Sequence, residues 1–145
     1  MVDLLSEKEL RSSIELMYFA YRGFTSHADK TLEQKGLGRL HHRVLYFIGR
    51  NHGLTISELL KILAISKQAL NAPLRQLIEM KLVEAVADNN DRRLKRLQLS
   101  EEGNHLEKIL TGKQMRQIAD AFKNVENSDI AAWRNIMNYL SNTNS

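Results

Sequence analysis

The sequence predicts a mainly α-helical domain carrying one small β-hairpin, an α+β arrangement, and two observations predict it. Apolar residues recur at helical spacing over most of the chain, in the stretches Leu10 to Leu32, Leu59 to Ile78 and Leu106 to Leu140. Between Val83 and Leu99 the period shortens to two on either side of the turn-forming run Asp88-Asn89-Asn90-Asp91.

Each element has its own signal. Ser6-Glu7-Lys8-Glu9 has the form of a capping box, a hydroxyl followed three positions later by a carboxylate. It starts a long helix with the seam Leu10, Ile14, Met17, Tyr21, Phe24, Ala28 and Leu32. A second helix begins near His41-His42. Thr55-Ile56-Ser57-Glu58 is another capping box, ahead of Leu59, Leu60, Ile62 and Leu63. The pattern pauses at Ala64-Ile65, and Ser66 can cap a further helix whose Leu70, Leu74, Leu77 and Ile78 share one face. On the opposite face Lys67, Asn71 and Arg75 are spaced four apart and project together, with Gln68 and Gln76 beside them. Pro73 lies inside this helix, where a missing donor costs ~3 kcal/mol in an ideal helix, so a kink is expected there.

In the hairpin, Val83, Ala85 and Ala87 alternate with Glu84 and Val86, and on the return strand Leu97 and Leu99 alternate with Arg96 and Gln98. Four of the five residues from Arg92 to Arg96 are basic, a density that suits a phosphate backbone or a narrow minor groove. Leu106, Ile109, Leu110, Ile118, Phe122 and Val125 mark a following helix. Ser128 is the expected cap of a last one carrying Ile130, Trp133, Ile136, Met137 and Leu140. Helix, short turn, helix, basic hairpin is the order of a winged helix-turn-helix. The candidate DNA contacts are therefore Ser66, Lys67, Gln68, Asn71 and Arg75 on the second helix of the motif, and Asn89, Asn90, Arg92, Arg93, Lys95 and Arg96 on the wing.

Asp88-Asn89-Asn90-Asp91-Arg92-Arg93 followed by Leu97-Gln98-Leu99-Ser100-Glu101-Glu102-Gly103 resembles the wing and next helix start of the MarR family of bacterial transcription regulators. Ile65-Ser66-Lys67 and Leu77-Ile78-Glu79-Met80-Lys81-Leu82-Val83 resemble the opening and close of that family's recognition helix. The likeness is close over the middle third, and the flanking helices agree in order and length. It implies one domain over 1–145, with a winged DNA-binding lobe at 36–99 and a helical dimerisation region at 6–34 and 100–142, the two termini interlocking with a second copy. Three positions depart from the family pattern, one being Pro73 inside the recognition helix. Asn90 replaces a wing arginine, and Lys81 replaces the glycine that ends the recognition helix, where a β-carbon in a left-handed conformation costs ~1 kcal/mol.

Composition is consistent with this reading. The net charge is +4, and the segment from Lys61 to Arg96 alone holds eight basic and four acidic residues, so all of the excess lies in the candidate reading segment. There is no cysteine, which excludes thiol-based sensing. No phosphate loop, nucleophile elbow, zinc-protease pair or cysteine nucleophile is present, so neither catalysis nor a cofactor is expected. His41 and His42 are adjacent, which sends them to different helix faces and argues against a shared metal. No apolar run approaches a membrane span and no secretory signal is visible, so a cytoplasmic location is expected.

The expected function is a dimeric regulator that binds double-stranded DNA and represses from a pseudo-palindromic operator. The alternative is a protein-interaction module that keeps the winged fold without binding DNA. The family resemblance also implies a small anionic or phenolic ligand between the dimer helices and the winged lobe, with Tyr21, His41, His42 and Tyr46 as candidate lining residues.

Overall fold

The computed structural model describes residues 1–143. Its elements follow in the order α1 (Glu7–Gln34), α2 (Arg39–Arg50), β1 (Leu54–Thr55), α3 (Ile56–Leu63), α4 (Lys67–Glu79), β2 (Val83–Ala87), β3 (Lys95–Leu99), α5 (Glu101–Lys123) and α6 (Asn127–Ser141). The expected mainly helical fold with a small hairpin is present. The sheet has one strand more than expected: β1 pairs antiparallel with β3, giving the order β1-β3-β2, with Leu54 opposite Leu97 and Val83 opposite Leu99.

Local chemistry explains the helix boundaries. Ser6, Thr55, Ser66 and Ser100 each accept a hydrogen bond from the backbone N–H three residues on, satisfying one of the donors that every helix start leaves open. At Thr55 the box is complete, because the Glu58 carboxylate also accepts from the Thr55 N–H at 3.0 Å. Ser128 does not cap the last helix. That helix starts two residues earlier from Glu126, whose own N–H donates to the Asp129 carboxylate at 3.0 Å, the reciprocal half of a capping box. Between α3 and α4 the chain turns at Ala64, left-handed at φ 52°, and α4 then runs uninterrupted through Pro73.

The buried core lies mainly between Leu37 and Leu97. Val44, Leu45 and Ile48 of α2 meet Leu59, Leu70, Leu77, Val83 and Leu97 there, while Leu32, Leu106 and Leu110 close it from α1 and α5. Ile62 and Ile78, expected on apolar faces, are 43% and 37% exposed, since both lie at the edge of their stripe. The first half of α1 and the whole of α6 contain no buried residue, although the Trp133 ring meets Phe122 edge to face; Leu10, Ile14, Met17, Trp133, Ile136 and Leu140 are all exposed. Among the described residues no helix is long and apolar enough to cross a membrane.

The α4 to β2 corner shows two backbone constraints of opposite sense. Lys81 takes φ 62°, with its N–H on the Ile78 carbonyl and the Leu82 N–H on the Leu77 carbonyl, both at 3.0 Å, so it fills the left-handed place that glycine usually takes. Opposite it, a β-carbon on Gly103 would lie 2.0 Å from the Leu82 carbonyl oxygen, an approach that only glycine permits. Urea unfolding should therefore show Lys81→Gly stabilising by about 0.5 to 1 kcal/mol. Gly103→Ala should destabilise by about 3 kcal/mol, because backbone must move to admit the methyl group.

Candidate DNA-reading surface and an adjoining cavity

Helix α4 presents the expected polar face. Lys67, Gln68, Asn71 and Arg75 are exposed, and none makes a side-chain hydrogen bond or ion pair with the other described residues. The Ser66 hydroxyl sits at the same end but accepts from the Ala69 N–H at 3.1 Å, so its first role is the helix cap. Gln76 departs from the expectation that it joins this face. Its side chain turns away, donating to the Gly36 carbonyl at 3.3 Å and meeting the His41 ring at 2.9 Å.

The wing is organised by Asp88. One carboxylate oxygen accepts from the Asn90 and Asp91 N–H groups, both at 2.9 Å, and the other from the Arg96 guanidinium at 2.6 Å. Arg96 also donates to the Gly53 carbonyl at 2.9 Å, so it ties the hairpin to the turn before β1. Asp91 holds Arg93 through both carboxylate oxygens, at 3.0 and 3.2 Å, leaving the arginine side chain 90% exposed. Asn89, Asn90, Arg92 and Lys95 are exposed. The basic cluster thus divides: Arg92 and Lys95 project without side-chain partners among the described residues, Arg93 is steered, and Arg96 is anchored.

A cavity of about 280 Å³ opens between α1, α2 and α5. Of the four candidate lining residues, Tyr21, His42 and Tyr46 border it. His41 does not, because one residue along a helix is a turn of about 100° and its ring faces α4 instead. Arg39, Arg43, Phe24 and Thr111 also line the cavity and were missed. The α2 members were findable, since Arg39, His42, Arg43 and Tyr46 follow the three and four spacing of one helix face. At the rim Arg39 forms a two-pronged ion pair with Asp29 and lies 5.5 Å from the Tyr21 ring centre, while Arg43 donates to the Tyr21 hydroxyl. Inside, the Thr111 hydroxyl donates to Glu107 at 2.5 Å, so it accepts from His42 Nε2 at 3.1 Å. Burial pushes the His42 imidazole below its ordinary value, with Arg43 adding to the effect and Glu107 and Asp29 opposing it, which keeps the ring neutral.

The exposed polar helix face beside a cationic hairpin defines a winged helix-turn-helix of the nucleic-acid-reading class. Comparison with known proteins narrows this. The MarR family profile matches residues 35–94. The HTH-type transcriptional regulator PetP of Rhodobacter capsulatus is 40% identical over 133 residues, covering 92% of this chain and 80% of that protein. This chain belongs to the MarR family of winged helix-turn-helix transcription regulators, which are not enzymes. Solved structures share the fold: Streptococcus pneumoniae FabT in complex with DNA, with TM-score 0.80 at 16% identity, covers 91% of this chain and 94% of its own. The S. aureus MepR–DNA complex, with TM-score 0.71 at 21% identity, covers 89% and 96%.

The wing has a pH signature. The Arg96 guanidinium first, then the Asn90 and Asp91 amides, hold the Asp88 carboxyl below the usual carboxylate range. A depressed folded value means the contact stabilises above the ordinary aspartate range and is lost as pH falls through the lower folded value. The Asn90 and Asp91 amide resonances should therefore keep their folded positions through about pH 3.9 and shift only below it. In Asp88→Asn that transition should be absent and the hairpin loosened at neutral pH.

Proposed function

We propose that the chain binds double-stranded DNA as a twofold homodimer in the cytoplasm and represses transcription from a pseudo-palindromic operator. The observation that carries this reading is the free polar face of α4: Lys67, Gln68, Asn71 and Arg75 are exposed, and none of their side chains has a partner among the described residues. Asn71 and Arg75 have the bidentate geometry that reads adenine and guanine edges, with Ser66 at the helix start beside them. Asn89, Asn90, Arg92, Arg93 and Lys95 add phosphate or minor-groove contacts, and Arg96 supports them from the wing base. The FabT and MepR complexes, with the same fold, contain DNA.

The division of labour follows burial. Residues 36–99 form the reading lobe. Residues 6–34 and 100–142 form the dimerisation region, supported by the exposed apolar faces of α1 and α6, which a soluble monomer rarely leaves uncovered. Twofold symmetry sets half-site centres ~10 bp apart or a near multiple. The cavity supports a small anionic or phenolic ligand that releases DNA, its ring among Tyr21, Phe24 and Tyr46 and its charge toward Arg39 or Arg43.

Selection from a randomised duplex library tests the reading. The enriched sequence should be a pseudo-palindrome, and Asn71→Ala or Arg75→Ala should weaken binding to it by ~1–3 kcal/mol per contact with much less change on mixed-sequence DNA. Arg92→Ala should weaken both alike and make the log-affinity against log-salt slope shallower by roughly one per subunit. If no sequence is enriched and the salt slope is unchanged, the fold serves protein interaction instead. Sedimentation at micromolar concentration should give a dimer; a clean monomer of 16.7 kDa would remove the operator geometry.

A further inference from the structure

Gln76 and His41 close a ring of hydrogen bonds whose direction is fixed by chemistry. The Gly38 N–H can only donate, so His41 Nδ1 accepts it, at 2.9 Å. The neutral ring then carries its hydrogen on Nε2 and donates to Gln76 Oε1 at 2.9 Å. The Gln76 amide nitrogen donates in turn to the Gly36 carbonyl at 3.3 Å. The ring begins and ends in the turn between α1 and α2. That turn is itself fixed, because Gly36 takes φ 72°, its N–H donates to the Glu33 carbonyl, and the Leu37 N–H donates to the Leu32 carbonyl at 2.9 Å.

Helix α4 is otherwise held by Leu70, Leu74 and Leu77, and apolar burial is non-directional: it fixes which face is inside but leaves rotation and sliding weakly specified. Hydrogen bonds weaken steeply with angle, so one directional contact next to Arg75 removes that freedom. We propose that His41 and Gln76 are positioning residues for DNA reading: they set the rotation of α4 against the α1–α2 turn and so the aim of Asn71 and Arg75. This rests on the DNA-binding reading above. His41 occupies the capping-box place of α2, three residues after Gly38, where glutamine also serves. A glutamine there retains an acceptor for Gly38 and a donor for Gln76, which alanine does not.

The test measures affinity of full-length protein for the selected duplex and for a mixed-sequence duplex of the same length. Gln76→Met, close to isosteric and without hydrogen bonds, should lose tenfold or more on the selected duplex and under threefold on the other. His41→Ala should do the same, the double variant should be no worse than either single one, and His41→Gln should return to within threefold of wild type. Equal losses on both duplexes, multiplicative losses in the double variant, wild-type binding by Gln76→Met, or a His41→Gln as weak as His41→Ala would each overturn the proposal. If His41→Ala fails to fold, Gln76→Met decides alone, since it leaves the α2 cap intact. Wild-type protein that selects no duplex overturns the DNA-binding reading and this inference together; selection with unaffected variants overturns this inference only.

Discussion

Burial of one face of α2 is the constraint on which the rest of the molecule is assembled. Val44, Leu45 and Ile48 are at most 1% exposed, and α2 touches α1, α3, α4, α5 and β3. Each such side chain contributes about 1.5–3 kcal/mol on burial. A helix surrounded in this way still has polar residues between its apolar ones, and these meet whichever neighbour lies at their angle. His41 therefore reaches α4, and His42, about 100° further round, reaches Thr111 on α5. Arg39 and Arg43 emerge at the cavity rim facing α1. One short helix thus carries the apolar centre, the link to α4 and one wall of the cavity.

The polar side chains sort by whether the fold already satisfies them. Asp88, Arg96, Ser66, His41 and Gln76 have partners within the chain and shape the surface. Lys67, Asn71, Arg75, Arg92 and Lys95 have none among the described residues and project from it. Residue type and spacing do not make this distinction. Arg92, Arg93, Lys95 and Arg96 read as one basic cluster in sequence, yet an aspartate eight residues before Arg96 takes its guanidinium and one two residues before Arg93 steers the other.

Most of the fold was legible because it is written in local signals. The capping box at Thr55, the serine caps at Ser6 and Ser66, the change of period at Val83 and the turn at Asp88 to Asp91 each act over a few residues, although the box expected at Ser6 is only half formed because the Ser6 N–H donates to the Asp3 carbonyl. The left-handed Lys81 was legible only through the family resemblance, because it stands where that pattern has its helix-terminating glycine. What escaped notice depends on partners distant in sequence. Strand β1 is two residues long and exists only because β3 pairs with it from more than forty residues away. The Gln76 side chain lies on an exposed helix face until Gly36 and His41 are brought beside it. Helix α6 was misread at its start because Ser128 is a common capping residue, whereas the backbone path puts Glu126 at the cap and Ser128 inside the first turn.

The two halves of the proposed mechanism meet at the α1–α2 turn. Helix α1 has 28 residues, about 42 Å at 1.5 Å per residue, with its first half exposed and apolar and its last turns buried against the lobe. In the proposed dimer its free half packs on a second copy while its end carries the Gly36 turn on which Gln76 docks. A swing of about 5° over that length moves the far end, and the lobe packed on it, by roughly 4 Å. Small adjustments between paired helices are therefore large at the point where α4 is held. The cavity lies along the same path, walled by α1, α2 and α5, so in the proposed mechanism a molecule that filled it would change the spacing between the proposed dimer helices and α4.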